Sequence, residues 1–504
     1  MFYKRKLIVA VLVSCFHGSF CLGLDMKDTI LGSLNGAPEI LDPAEIVDSA
    51  QWHTLVNLGE NLVAHDSSGR LIGDFALSWT VTLDHMNFSF KLAKGRKDSN
   101  GNELDSSDWR ATFVHLLRSG GSTHSFVAEF LDEQGIETPS PYELVIHLKK
   151  PYQTFIQRLT TPEFILIPKT SISKNNVVDL HNSSGAYKLE SFNRVQKSCA
   201  LKVNKNFYKY NQEQIENVTL LQLPEKNLTV FDNLAKDRWQ FSLLRGLPTD
   251  PAAKTLDKLV DERSIFRTTT EPSSVAFVLF FDTKRLKSKK ERLNLAKLIG
   301  ENAEVDMSTK YASATHQIYP HGFVGALPPT REKQIIEMIK KGADAKSWPK
   351  RLVGYGTISA RNSGAINWVE KLFRDKGISV ESHPIDFTNY NRRQKEIDHD
   401  FFVSMTGLNS KDPAGTLLTM LSPKSGVIPD EDGTLNALLQ KAVQMDFAER
   451  AGILHQISEN LLLSGRMVPF VHFGVSILSS KTIVALPPSK FDDELKLADI
   501  RWRK

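Results

Sequence analysis

Fourteen histidines, some beside carboxylates, are the first place to look for chemistry in this chain. His316 and His321 stand five apart and His399 adjoins Asp400. Residues at that separation do not share a helical face, and Tyr319-Pro320 between them predicts a loop, so no metal centre is expected. Asp98-Ser-Asn-Gly-Asn102 imitates a calcium loop, yet its glycine is fourth rather than sixth, and Trp109 fills the twelfth position where a bidentate glutamate belongs. A hairpin turn is the expectation there. Gly354-Tyr-Gly356 follows a strand pattern but lacks the third glycine of a dinucleotide fingerprint. The basic run from Lys284 to Arg292 has no interleaved aromatics and predicts a solvated helix face rather than a phosphate or nucleic-acid site. The P-loop, H-E-x-x-H, G-x-S-x-G and C-x-x-C motifs do not occur. These residues therefore give no catalytic, cofactor or metal signature, and no catalytic residue, cofactor or metal is expected.

The elements that would position a binding site are legible from periodicity. Alternation in Asn87–Leu92, Glu143–Lys149 and Leu201–Val203 predicts half-buried strands. Asp105 is a natural N-cap for a helix over 106–118 carrying Trp109, Phe113, Leu116 and Leu117 on one face. Between 352 and 380 the pattern reads strand, helix (Ile366, Val369, Leu372, Phe373), a stop at Gly377, then strand again, which is a β-α-β unit. A further amphipathic helix through Ile453, Leu454, Ile457 and Leu461 ends at Gly465 and leads into the apolar strand Val468–Phe473. The class is α/β with mixed sheets. With 504 residues, 41% hydrophobic and 24% charged, the chain has ordinary globular usage and room for two to four domains.

The chain opens with Lys4, Arg5 and Lys6, followed by an apolar stretch from Leu7 to Val13 that is too short to span a bilayer. This reads as a secretory leader over residues 1–24. Leu12-Val13-Ser14-Cys15 resembles a lipobox, which would make Cys15 a lipidated residue and the membrane a partner through that anchor; cleavage near Cys21 to Gly23 would release the protein instead. Without the three basic leader residues the formal charge of +5 falls to about +2, which gives no footing for nucleic acid. Cys199 is then the one cysteine of the body, so no disulfide framework is expected.

From about residue 30 onward, short motifs occur in a telling order. Pro38-Glu-Ile-Leu-Asp-Pro43, Gly59-Glu-Asn-Leu62, Phe75-Ala-Leu-Ser-Trp79 and Phe88-Ser-Phe-Lys-Leu92 are followed by Gly95, Gly101 and Leu104 to Trp109. Then come Leu148-Lys-Lys-Pro151, Ser184-Gly-Ala-Tyr187, Val203-Asn-Lys-Asn-Phe-Tyr208, Asp400, Lys411-Asp-Pro413 and Val468-Pro-Phe470. In this order the chain resembles the extracellular solute-binding proteins of the peptide/nickel family that serve ABC importers. The resemblance implies a two-lobed periplasmic-binding-protein-like fold of type II, in the large class with an extra subdomain, its mixed sheets flanked by helices. One lobe would comprise 25–270 with 475–504, including an inserted subdomain at about 51–177, and the other 271–474, with Pro272 and Gly474 near the hinge.

The resemblance also implies a periplasmic or otherwise extracytoplasmic monomer that captures a peptide-like or other small solute between its lobes and delivers it to permease subunits. A ligand-sensing module with a diverged pocket and a secreted hydrolase are the alternatives. Where peptide-binding members carry an aspartate for the ligand's α-amino group, this sequence has Asn409, and Thr406 replaces a common tryptophan. An amide supplies hydrogen bonds without charge, which weakens a preference for cations. Asp282 replaces an asparagine usual after the first strand of the second lobe. The cleft is therefore expected to be lined by Thr406, Gly407 and Asn409, with Asp282, Tyr355, His472 and Trp52 as further candidates. Trp52 and Tyr355 would serve equally well as packing aromatics, and His472 as a satisfied buried histidine.

Overall fold

A computed structural model describes residues 29–503 except 35–40, 47–48, 67–69, 121, 223–226, 245–251, 270–274, 310–311, 345–346, 357–363, 385–398, 408–412, 422–427, 429, 431, 446–448, 474–475 and 485–493. The leader with Cys15, and the proposed hinge residues Pro272 and Gly474, thus lie outside the described residues. Among those described, no helix is long and apolar enough to cross a membrane.

Two large sheets organise the chain. The first, seven-stranded, runs in the order Phe266–Thr269, Ser476–Ser479, Phe241–Leu244, Thr29–Leu34, Asn217–Gln222, Ser198–Val203 and Tyr187–Asn193. The second, six-stranded, runs Ala312–Ala314, Met467–Phe473, Val275–Phe281, Phe401–Gly407, Arg351–Gly356 and Ser379–Pro384. Both mix parallel and antiparallel neighbours. The strand Val275–Phe281 consists of seven apolar residues, all buried, as a central strand covered on both faces requires. Phe277 stacks on Phe470 and Phe473, and Trp368 from the helix Ala365–Asp375 stacks on Phe470. That helix connects the parallel strands Arg351–Gly356 and Ser379–Pro384, so the β-α-β unit forms as its periodicity requires, with Gly377 at φ +80° just beyond the helix end.

A four-stranded antiparallel sheet, Ala76–Val81, Asn87–Leu92, Glu143–His147 and Ile136–Ser140, is inserted between strands of the seven-stranded sheet. The helix Ser106–Arg118 packs on it. Asp105 accepts from the Ser107 amide while Asp108 accepts from the Asp105 amide, a reciprocal cap that fixes the helix start. Trp109 and Phe113 are buried on the inner face, Trp109 edge-on to Phe75 at 5.7 Å. The turn at Asp98–Asn102 forms around the Asp98 carboxylate, which accepts from the amides of Asn100 and Asn102. Lys284, Arg285, Lys287, Lys289 and Lys290 of the basic run are exposed as expected, whereas Ser288 caps the helix Lys289–Asp306 in the middle of the run and Arg292 turns inward to donate to the carbonyls of Leu286, Lys287 and Ser464.

A buried ion pair holds the insert together at its base, and an aromatic contact and close backbone approach tie it to the main sheet. Arg96, 8% exposed, donates to Glu60 Oε2 at 2.8 Å and to the Asp74 carbonyl at 2.8 Å, and its guanidinium lies 3.0 Å from the Tyr208 ring centroid. Beside it the Gly185 backbone runs so near residues 57–59 that a Cβ there would stand 2.4 Å from the Gly59 nitrogen. Gly185→Ala is therefore expected to destabilise the protein by about 1–3 kcal/mol, because backbone rather than a flexible side chain stands in the way. Urea denaturation checks this; wild-type stability would show that the junction is not tightly packed.

Candidate ligand-binding site

The chain passes between the two large sheets twice, and both passages lie side by side. Thr269 pairs with Ser476 at the end of the seven-stranded sheet, and Val275 pairs with Phe473 at the end of the six-stranded one. Residues 270–274 and 474–475 complete the passages. At this end the strands Thr29–Leu34, Asn217–Gln222, Phe241–Leu244 and Phe266–Thr269 present their carboxyl termini, as does Phe401–Gly407 from the other sheet. Ligands of open α/β sheets bind outside such carboxyl ends.

Cross-strand pairing brings three of the expected residues to this end. Thr406 pairs with Ala276, which pairs on its other side with His472, which in turn pairs with Ser313; Gly407 sits one step further out, opposite Val275. Directly paired residues share a sheet face, so Thr406 and His472 flank Ala276 on one surface. His472 Nε2 meets the Ile318 carbonyl at 3.1 Å, which assigns the proton to Nε2 and leaves Nδ1 an acceptor. Burial, only partly offset by that hydrogen bond, pushes the His472 pKa down to about 4, so the imidazole is neutral near pH 7. A threonine hydroxyl, glycine backbone and neutral imidazole offer hydrogen bonds without fixed charge. Asn409 follows in sequence and lies outside the described residues.

The other candidates stand elsewhere. Asp282 is at the opposite end of its strand, six residues from Ala276, or roughly 20 Å at about 3.3 Å per residue. There its carboxylate accepts from the Lys284 amide and its own amide donates to the Asp400 carbonyl, so it shapes the turn before a helix. Strand direction, which an isolated sequence position does not reveal, removes it from the row. Tyr355 is 4% exposed and stacked on His383 at 5.3 Å, with His399 edge-on at 5.5 Å; its neighbour across the sheet is Phe402, four residues before Thr406. Trp52 is buried in the short helix Ser49–Leu55, which contacts the strand Thr29–Leu34. Cys199 is buried in the seven-stranded sheet, where desolvation drives its thiol up to about 12, far from a reactive thiolate.

Sequence reasoning missed Ser33 and Ser242. Both are fully buried near the carboxyl ends of adjacent parallel strands, where the Ser33 hydroxyl donates to Ser242 Oγ at 2.8 Å. No local signal marks two serines 209 positions apart. A small pocket of about 30 Å³ lies away from this end, walled by Gly300, His316, Ile339 and the start of the strand Met467–Phe473. Among the described residues, no group of three or more His, Cys, Asp or Glu is arranged to hold a metal. His316 faces Glu304 at 3.9 Å and His321 faces Glu332 at 3.3 Å, so the two imidazoles have different partners.

Comparison with known proteins agrees with this geometry. The pattern described as bacterial extracellular solute-binding proteins, family 5, matches residues 70–426. The periplasmic oligopeptide-binding protein OppA of Haemophilus influenzae is 25% identical over 267 residues, an alignment covering 49% of this chain and 48% of that relative. Among solved structures, a dipeptide-binding protein from Pseudoalteromonas sp. SM9913 in complex with Met-Leu superposes with a TM-score of 0.81 at 14% identity, covering 94% of this chain and 100% of that one. The periplasmic binding protein AgaA from A. tumefaciens R10, in complex with agropinic acid, gives 0.78 at 18% identity, covering 94% and 99%. The fold is thus the two-lobed α/β fold of type II periplasmic binding proteins.

The neutral state of His472 has a measurable consequence. A histidine whose folded pKa lies below its unfolded value of 6.5 contributes its full stability above that value and loses it as pH falls toward about 4. The stability of wild type relative to His472→Asn should therefore decline over this window. Denaturant titrations at stepped pH test it, and a pH-independent difference would contradict the buried neutral assignment.

Proposed function

The chain belongs to the bacterial extracellular solute-binding proteins of family 5, and from that membership we propose that it is an exported protein that captures a small solute between two lobes and delivers it to an ABC importer. The lobes are 25–270 with 475–504, carrying the insert at about 51–177, and 271–474. The observation that supports this reading best is the coincidence of two features: strand carboxyl ends gather where the chain crosses twice between its sheets. Rotation about two adjacent short passages can open and shut a cleft at that end, and a solute touching both sides stabilises the shut form by its differential affinity.

The working location is extracytoplasmic, as for the periplasmic relatives, and Cys15 is the candidate for lipid attachment. Thr406, Gly407, Asn409 and His472 form the second lobe's share of the site, and Ser33 and Ser242 stand near the first lobe's. The solute class follows from their chemistry. With an amide at Asn409 and a neutral His472, this side of the cleft offers hydrogen bonds but no carboxylate to offset the desolvation of an ammonium group. A peptide-like solute held by its polar backbone rather than its amino terminus fits that arrangement. That a relative of the same fold is seen with agropinic acid supports a solute range wider than peptides.

Calorimetric titration with Met-Leu and Ser-Thr-Ser-Ala should show weak binding to wild type, and Asn409→Asp should strengthen it by about 1–3 kcal/mol, the scale of a charge-assisted hydrogen bond. Tight, amine-dependent binding by wild type would overturn the assignment. Native mass spectrometry of protein from its own host should reveal a co-purified solute, and Thr406→Arg should reduce its retention tenfold or more, about 1.4 kcal/mol, with little change in melting temperature. Undiminished retention would move the site elsewhere.

A further inference from the structure

Away from the strand crossings, the inserted sheet touches the second half of the chain again. Lys150 Nζ donates to Glu129 Oε1 at 2.6 Å and to Gln440 Oε1 at 2.7 Å, and Gln440 Nε2 donates back to Glu129 Oε1 at 2.8 Å. The same ammonium lies 4.5 Å from the Phe130 ring centroid. Ten residues beyond Gln440, the side chain of Arg450 is fully buried. Its Nη1 donates to Thr154 Oγ1 at 3.1 Å, and its Nη2 to Gln153 Oε1 at 3.4 Å and to the Met445 carbonyl at 3.0 Å. The Gln153 amide completes the contact by donating to the Val443 carbonyl at 3.2 Å. Segments 129–154 and 440–450 are thus joined by a closed ring of three polar side chains and a buried guanidinium.

The insert is anchored to the body of the seven-stranded sheet by the Gly185 contact with 57–59, by Arg96 against the Tyr208 ring and by the Tyr208 hydroxyl on Asp74, so it moves with that body. Gln440 is on the helix Thr434–Val443 and Arg450 immediately precedes the helix Ala451–Leu463, which packs on the strand Met467–Phe473 of the six-stranded sheet. Resting on the two-lobed reading above, opening of the cleft between the two large sheets separates 129–154 from 440–450. We infer that Lys150, Glu129, Gln440 and Arg450 form a latch that biases the ligand-free protein toward the closed arrangement, and so sets solute retention through residues away from the cleft row.

The chemistry suits a contact that is made and broken repeatedly. Lys150 and Glu129 remain about one-third exposed, 31% and 36%, so water replaces their partners at small cost when they part. Arg450 keeps the Met445 carbonyl from its own segment as Thr154 and Gln153 move away. A bias of this size changes apparent affinity through the fraction of molecules already closed, because a solute that needs the closed form binds in proportion to that fraction.

Small-angle X-ray scattering of the ligand-free full chain tests the latch. Lys150→Ala, Gln440→Ala and the double variant should raise the ratio of open to closed molecules roughly two- to fivefold, seen as a larger radius of gyration. Because Lys150 and Gln440 are partly exposed, their melting temperatures should stay close to wild type. The exchange Glu129→Lys with Lys150→Glu should restore the wild-type profile, since the Gln440 amide can donate to or accept from either neighbour. Thr406→Arg, which sets a bulky charge in the cleft row and disfavours closure, serves as the internal reference. If it enlarges the molecule while the latch variants match wild type, the latch is overturned and the two-lobed reading stands. If none of the variants changes the radius, the two-lobed reading falls and the latch with it.

Discussion

Much of the structure depends on one buried charge pair. Arg96 and Glu60 leave water together, and the desolvation this costs is offset only because the guanidinium also reaches the Asp74 carbonyl and lies against Tyr208. Removing either partner would strand the other charge in an apolar junction, at a cost on the order of 3–5 kcal/mol. The junction joins the end of the first helical segment, the entry to the inserted sheet and the return of the chain at 184–187. Ser184 accepts from the Glu60 amide, Asn204 donates to the Gly185 carbonyl, and Tyr208 donates to Asp74. Glu60, Gly185, Asn204 and Tyr208 each come from a short motif through which the sequence resembles its family. Those motifs converge on packing at this junction.

A second constraint is topological. Because the two sheets exchange chain twice at neighbouring positions, their strand ends are brought together however the loops differ. The central strand Val275–Phe281 is apolar throughout and fixes the register of both neighbours, and that register puts Thr406 and His472 on either side of Ala276. A neutral imidazole held by the Ile318 carbonyl is a consequence of this enclosure, since an imidazolium would need a carboxylate or water there. The same sheet carries Asp400 at its other end, where it accepts from the Val353 amide and from Arg285 and clasps two strands to the start of a helix. One end of the sheet is thus closed by polar bonding, while the other is left to the loops and the chain crossings.

The sequence by itself determined the local elements and the family. Trp109, Phe113 and Leu116 at helical spacing after Asp105, and Ile366, Val369 and Phe373 before Gly377, encode their helices through patterns that need no distant partner. Asp98–Asn102 was equally legible as a turn, because an aspartate bonds its own following amides. Only the tertiary structure decided which residues share a site. Thr406 and His472 are 66 positions apart and meet through a strand contributed by neither. Asp282 looked as eligible as either until strand direction placed it at the far end, and Ser33 and Ser242 carry no mark of their pairing. Arg292 and Arg450 look like surface cations in sequence, yet both are buried. The reason is the same in each case: periodicity encodes which face of an element is apolar, whereas register, direction and the pairing of remote polar groups arise only when elements are packed together.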